Sequence, residues 1–273
     1  MSVPVRRGAV RGPAAVRAAA QVFVPDLATL EVAADDARHL AEVLRLRRGE
    51  AVVACDGAGS WRTCRYTASA DPSRLLEVDG ALCREPASET AVVVGFAPVK
   101  GERPEWVVQK LTELGVDCVA VVRSARAVVR WDDRREASAV KRLRRVARQA
   151  AAQSRRAWLP EVVGVVSLAE LRALVAPGVL ALAEPGADPP ACATTAVAVG
   201  PEGGWEESEL DCADLLVGLG PGILRAETAA VAAGSLMCAL RDGAVAPSLA
   251  AGPVAGPAVR GDREQGACNH HAE

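Results

Sequence analysis

From Ala91 onward the chain alternates short apolar runs with helix-length segments, and this alternation limits the fold more than any other feature. Residues 91–96 are a continuous apolar run, the pattern of a strand buried on both faces. A helix is expected over residues 104–114, stopped by Gly115, a residue suited to a left-handed C-cap. A strand at 118–122, a long helix at 132–154 and strands at 179–183 and 196–199 follow. A helix near 206–213, a strand at 215–219 and a last helix at 227–240 complete the series. Strands alternating with helices predict an α/β domain with a mainly parallel sheet, bounded at residues 89–243.

The chain before this domain has a different rhythm. Residues 21–88 carry strand-like runs at 22–24, 51–55, 61–67 and 75–78, with one helix at 34–44 opened by Asp35 and Asp36. A small barrel-like unit fits this pattern, joined to the α/β domain by a linker at 86–89. Residues 1–20, with Arg6, Arg7, Arg11 and Arg17 among Ala, Val, Gly and Pro, are expected to be a disordered leader outside the fold. Residues 244–273 are rich in Ala, Gly and Pro and read as a disordered tail, so His270 and His271 are tail residues and not ligands.

Charge and cysteine usage narrow the function classes. The formal net charge is −2, so any nucleic-acid site must be a local patch. Only three lysines occur, Lys100, Lys110 and Lys141, and arginine carries nearly all the positive charge. Eight cysteines are scattered without a C-x-x-C pair, which argues against a metal site and for reduced thiols in a cytoplasmic protein. No run reaches the roughly 18–20 apolar residues that a membrane-spanning helix needs.

Three glycine- or proline-bearing loops follow strands: Glu184-Pro185-Gly186, Gly200-Pro201-Glu202-Gly203-Gly204 and Leu219-Gly220-Pro221-Gly222-Ile223-Leu224-Arg225-Ala226-Glu227-Thr228. Loops at the carboxyl ends of strands are where α/β sheets bind ligands, and glycines let backbone N–H groups approach closely. Tight strand-to-helix turns without a ligand would read the same way. The dinucleotide fingerprint fails because Ile223 stands where its last glycine belongs, and no phosphate-loop lysine is present. Arg225 and Glu227 are either a surface ion pair with a helix-capping acid or site residues.

The last two loops also resemble the cofactor-loop signatures of the bacterial 16S ribosomal RNA uridine-N3 methyltransferase family, of the knotted SPOUT class. Further matches are residues 39–45, Lys100-Gly101-Glu102, residues 109–116, Gln153-Ser154, Arg156 and Pro160-Glu161, in the family's order over about residues 21–243. The resemblance implies a PUA-like barrel at 21–88, a trefoil-knotted parallel-sheet domain at 89–243, a homodimer, and 16S ribosomal RNA of the small subunit as substrate. It implies S-adenosylmethionine as cofactor, no metal, and no membrane. The cofactor residues it points to are Glu184, Gly200, Pro201, Glu202, Gly203, Gly204, Leu219, Gly220, Ile223, Leu224 and Thr228. Substrate contacts are expected at His39, Arg45, Lys100, Lys110, Glu113, Gln153 and Arg156. Gly222 departs from the family, which often places a basic residue there.

Methyl transfer to uridine N3 requires loss of the N3 proton. Arg225 is expected to stabilise charge on a uracil oxygen, with Glu227 or Glu202 as base or orienting group. Basic residues 134, 141, 145 and 148 share a face of the long helix and are expected to meet phosphates. Two other classes remain open at this stage, a nucleotide-cofactor α/β oxidoreductase and a non-catalytic RNA-binding protein.

Overall fold

A computed structural model describes residues 12–98, 103–129, 131 and 133–245. The N-terminal unit contains β1 (Ala20–Phe23), α1 (Ala34–Arg38) running into a wide turn at His39–Val43, β2 (Ala51–Cys55), β3 (Ser60–Tyr66), β4 (Leu76–Val78) and β5 (Cys83–Arg84). β1 pairs parallel with β2, and β3 pairs antiparallel with β2, β4 and β5. Alternation along β2 sends Val52 and Ala54 into the barrel core with Val22, Leu40, Cys64 and Tyr66. Its other face, Val53 and Cys55, packs with Phe23 against Ala151 of the following domain.

That domain contains β6 (Val93–Phe96), α2 (Arg103–Leu114), β7 (Cys118–Val122), α3 (Asp133–Gln153), β8 (Glu161–Val166), α4 (Leu168–Val175), β9 (Val179–Ala183), β10 (Thr194–Val199), α5 (Glu207–Leu210), β11 (Leu215–Val217) and α6 (Ala226–Arg241). All six strands are parallel, in the order β11-β9-β10-β6-β7-β8. Odd and even positions divide cleanly. Val94, Phe96, Val119, Val121 and Val197 face α2, α3 and α6, while Val93, Ala120, Val122, Leu180 and Ala198 face α4 and Trp205. Gly234 lets α6 lie close on α2, since a Cβ there would stand 2.5 Å from Leu111 Cδ2.

The predicted α/β order holds, with additions. β8 and α4 were not anticipated, and the helix expected at 206–213 is one turn long. The strand expected at 215–219 ends at Val217, which leaves Gly218 and Leu219 to the following loop. Residues 12–19, expected to stand outside the fold, are in contact with it. Gly12–Ala15 forms a 3₁₀ turn, Val16 and Ala18 pack against the Phe23–Ala151 cluster, and Ala19 N donates to Ala51 O at 2.8 Å. The remainder of the predicted leader, residues 1–11, and the predicted tail from 246 on lie outside the described residues.

The two units join where the strands of the parallel sheet begin. Arg148 donates to Phe23 O at 2.7 Å and to Asp36 Oδ2 at 2.6 Å, and its guanidinium lies 5.4 Å from the Phe23 ring centre. Trp158 donates to Glu85 O at 3.2 Å and covers Gly59, where a Cβ would stand 2.5 Å from the indole. No described helix is long and apolar enough to cross a membrane.

Candidate functional site

The three loops singled out by sequence leave the carboxyl ends of β9, β10 and β11, neighbouring strands at one end of the sheet. The structure ties them together. Glu184 N donates to Val217 O at 2.9 Å, and Gly218 N donates to Asp188 O at 2.7 Å. Gly218 is required there because a Cβ would stand 2.0 Å from Ala187 O. Trp205 is buried over Gly200 and donates from Nε1 to Ala183 O at 3.2 Å, linking the β10 loop to the end of β9. Pro201 is buried, and Gly204, at φ +70°, closes a turn with its N–H on Pro201 O at 2.9 Å.

The third loop has an open side. Gly220, at φ +148°, and Gly222 have no neighbouring atom within 4 Å of an added Cβ. Ile223 is 89% exposed, while Leu219 packs back against the core. A large apolar side chain held out beside two bare stretches of backbone suits the flat apolar face and polar edge of a nucleoside. The residues present therefore fit an adenosine-bearing cofactor. Glu184 is half-buried; Glu202 and Thr228 are exposed beside the same loops. Among the described residues no group of three or more His, Cys, Asp or Glu side chains is placed to hold a metal ion.

Arg225 is exposed and caps α6 through its carbonyl, which accepts from Ala229 N at 2.8 Å. Its guanidinium has no hydrogen-bond or ion-pair partner among the described residues. Glu227, one position into α6, is mostly buried and pairs with Arg103 at 3.3 Å rather than with Arg225. The alternative in which Arg225 and Glu227 form a surface ion pair is thus not what the fold contains. The second Glu227 oxygen, Oε2, is buried without a partner among the described residues.

The expected substrate residues do not gather at these loops. His39 and Arg45 are exposed on the barrel, the latter at φ +52°. Lys110 and Glu113 pair with each other at 2.8 Å on the last turns of α2, away from the loops. Gln153 is exposed at the end of α3, and Lys100 lies outside the described residues. Arg156 is a correction: its Nη1 donates to Thr112 O and Val116 O, both at 2.9 Å, and Asp117 stands 3.9 Å away. Burial pushes this guanidinium below its usual range, and the group ties the end of α2 to the sheet instead of facing substrate. Arg148, expected to meet phosphate, is likewise taken up by the barrel contact.

Sequence reasoning missed Arg103, Arg126, Trp205 and Glu209. Trp205 had a signal, an aromatic directly after the glycine run in a chain only 3% aromatic. The other three act through partners 77 to 124 residues distant, which no local pattern reveals.

Residues 86–238 match the RNA methyltransferase domain model, and residues 32–76 match the RNA methyltransferase PUA domain model. The ribosomal RNA small subunit methyltransferase E of Mycobacterium bovis is 35% identical over 227 residues, covering 77% of this chain and 86% of the relative. The chain belongs to the ribosomal RNA small subunit methyltransferase E family. The Bacillus subtilis relative is 27% identical over 226 residues, covering 76% of this chain and 88% of its own length. The solved structure of the Neisseria gonorrhoeae family member, bound to S-adenosyl methionine, is 25% identical with a TM-score of 0.66, over 81% of this chain and 97% of that one. The expectation of a PUA-like barrel followed by a parallel-sheet methyltransferase domain is met. The oxidoreductase and non-catalytic alternatives lose their footing.

Proposed function

We propose that this chain uses S-adenosylmethionine to methylate N3 of a specific uridine in 16S ribosomal RNA of the small subunit. The observation that carries this reading is the union of three strand-end loops around an open glycine-rich face, with Arg225, unpaired among the described residues, at its border. Similarity to the S-adenosyl methionine-bound Neisseria gonorrhoeae structure supports the choice of cofactor. When bound, that cofactor supplies an electrophilic methyl group on a cationic sulfur.

The chain's own residues perform the remaining tasks. Backbone groups of residues 184, 200–204 and 218–224 hold the adenosine, with Leu219, Ile223 and Leu224 as apolar contacts and Thr228 at the edge. Arg225 points a planar, permanently charged donor group at the position where a uracil oxygen gains charge as N3 loses its proton. Glu227 is held by Arg103 with one oxygen uncommitted among the described residues, which suits it to accept a hydrogen bond or the proton itself. Glu202 is the exposed second carboxylate. Exposed Arg134, Lys141 and Arg145 on α3 supply the phosphate contacts.

We extend the reading to a trefoil knot in the loops of residues 184–225 and to a cytoplasmic homodimer. The barrel docks at the end of the sheet where strands begin, and the cofactor loops lie at the end where they finish. RNA held by one barrel is therefore remote from the loops of the same chain, and a second copy brings the two surfaces together. The deciding experiment is mass spectrometry of 16S ribosomal RNA from a strain lacking this protein. Loss of 3-methyluridine, restored by the wild-type gene, is expected; unchanged 3-methyluridine refutes the assignment.

A further inference from the structure

Beyond the loops themselves, the turn after β7 is bound both to the β10 loop and to α5, which follows it. Ala127 N donates to Ser124 O at 3.2 Å, and both residues are buried, which leaves Ala125 and Arg126 exposed at the tip. Ala125 N donates to Glu209 Oε1 at 3.0 Å, and the other oxygen of Glu209 accepts from Glu206 N at 2.8 Å. Arg126 Nη1 donates to Gly203 O at 3.1 Å. An added Cβ on Gly203 would stand 3.3 Å from Arg126 Cβ, so the loop also lies closely against the side chain's base.

One peptide plane makes this contact consequential. In a trans peptide the carbonyl and the following N–H point in opposite directions. The Gly203 carbonyl is held by Arg126, and the N–H on the other side of the same plane, that of Gly204, closes the turn on Pro201 O. Arg126 thus fixes the plane on which the Gly203–Gly204 turn depends. A guanidinium has five N–H donors, and the contact to Gly203 O takes one. The side chain is exposed at the same end of the sheet as Arg225, and a planar fork of this kind matches a phosphate with two parallel hydrogen bonds.

We propose that Arg126 is a coupling residue: it holds the Gly203–Gly204 cofactor turn through Gly203 O while its remaining donors take a phosphate of the RNA. This rests on the methyltransferase reading above. RNA binding then orders the cofactor turn, cofactor binding orders the guanidinium for RNA, and the two effects are equal by linkage.

The test is equilibrium dialysis of labelled S-adenosylhomocysteine with and without small ribosomal subunits from a strain lacking the protein. In the wild type the subunits should tighten S-adenosylhomocysteine binding by about fivefold or more, the lower range of coupling between sites. In Arg126→Gln, affinity without subunits should fall several-fold and the coupling should shrink to within about twofold of none. Arg126→Lys should keep most of the subunit-free affinity, since an ammonium can still reach Gly203 O, but lose most of the coupling, since it has no fork to share. Wild-type coupling that survives in Arg126→Gln overturns the proposal, as does a wild type with no coupling. If Arg126→Gln melts well below the wild type, Arg126→Lys decides by the same criterion. A wild type that binds no S-adenosylhomocysteine refutes the methyltransferase reading, whereas binding without coupling refutes only this inference.

Discussion

Gly218 offers a direct test of how the three strand-end loops are assembled, through Gly218→Ala. The new methyl group would stand 2.0 Å from Ala187 O, an atom of the backbone that cannot rotate away, so the β9 and β11 loops must separate. Separation breaks the 2.7 Å bond from Gly218 N to Asp188 O. Overpacking of a tight site costs about 1–3 kcal/mol, and a stranded buried donor about 1–3 kcal/mol. The sum, about 2–6 kcal/mol, corresponds to a melting temperature lower by roughly 4–24 °C for a domain of this size. Because Gly218 begins the third loop, S-adenosylhomocysteine affinity should fall by more than tenfold, about 1.4 kcal/mol. Gly222→Ala is the control: nothing lies within 4 Å of its Cβ, so its effect on stability should stay within about 0.5 kcal/mol. Thermal melting and calorimetric titration of both variants read the outcome. If Gly218→Ala melts and binds like Gly222→Ala, the loops are not joined as described.

Arg225→Ala should lower the single-turnover rate at saturating RNA and cofactor by about a hundredfold or more, the scale of a lost oxyanion donor, with stability unchanged. A wild-type rate removes Arg225 from the mechanism. Arg148→Ala should loosen the barrel and cost about 1–2 kcal/mol in denaturant unfolding, since two hydrogen bonds and a ring contact are lost at a half-exposed site. Arg145→Ala should leave stability alone and reduce the salt dependence of RNA binding by about one phosphate contact; equal effects of the two on RNA binding contradict the division. Burial pushes the thiols of Cys55 and Cys118 up to about 12 and those of Cys64 and Cys238 up to about 11. At pH 8 a thiol reagent should therefore label exposed Cys192 rapidly and these four only on unfolding. The folded state holds these protons longer than the unfolded state, so stability should decline as pH rises from 9.0 toward 11 and 12. Flat stability across that window would show that the thiols are not sealed.

What the sequence made legible was whatever depends on neighbours along the chain. Runs such as Val92-Val93-Val94 and helix stops such as Gly115 report local period and local backbone, and those elements are where they were expected. β8 and α4 were equally legible and were overlooked: Val162–Val166 is an apolar run broken only by Gly164, and Ser167 with Glu170 forms a capping box. Strand order was not legible. β8 and β9 are consecutive in the chain, yet β7, β6 and β10 lie between them. Only the packing of distant helices decides that crossing. In the site, the three loops could be read from glycine placement after strands, but the bonds that make them one surface could not. The pairing of Glu227 illustrates the limit. Residues two apart on a helix do not face each other, so Arg225 was a poor partner from the start, and the true partner, Arg103, arrives from another helix.

The fate of the arginines shows why counting charge along α3 overstates the positive surface left open to a ligand. In the segment from Arg134 to Arg156, Arg142 pairs with Glu105, Arg144 donates to Val162 O, and Arg148 holds Phe23 O and Asp36. Arg155 donates to Ala18 O and Arg156 to two carbonyls at the end of α2. Four of these five reach backbone carbonyls, most across a boundary between elements or between the two units. A guanidinium suits that work because its donors lie in a rigid plane, its charge is weakly hydrated, and a long stem can bury against apolar surface. An ammonium would need three separately directed acceptors and would lose more hydration. In a chain with three lysines, arginine therefore serves as the connector of the fold as well as its positive surface. The candidates for the proposed RNA surface are Arg134, Lys141 and Arg145, exposed on α3, together with Arg126 and Arg225 at the strand-end loops. Replacing Arg155 by lysine should consequently destabilise the contact with the N-terminal unit, and replacing Arg156 by lysine the tie between the end of α2 and the sheet, both at constant charge, while the same exchange at Arg145 should be silent in a melt. If all three exchanges leave melting unchanged, donor geometry is not what selects arginine at these positions.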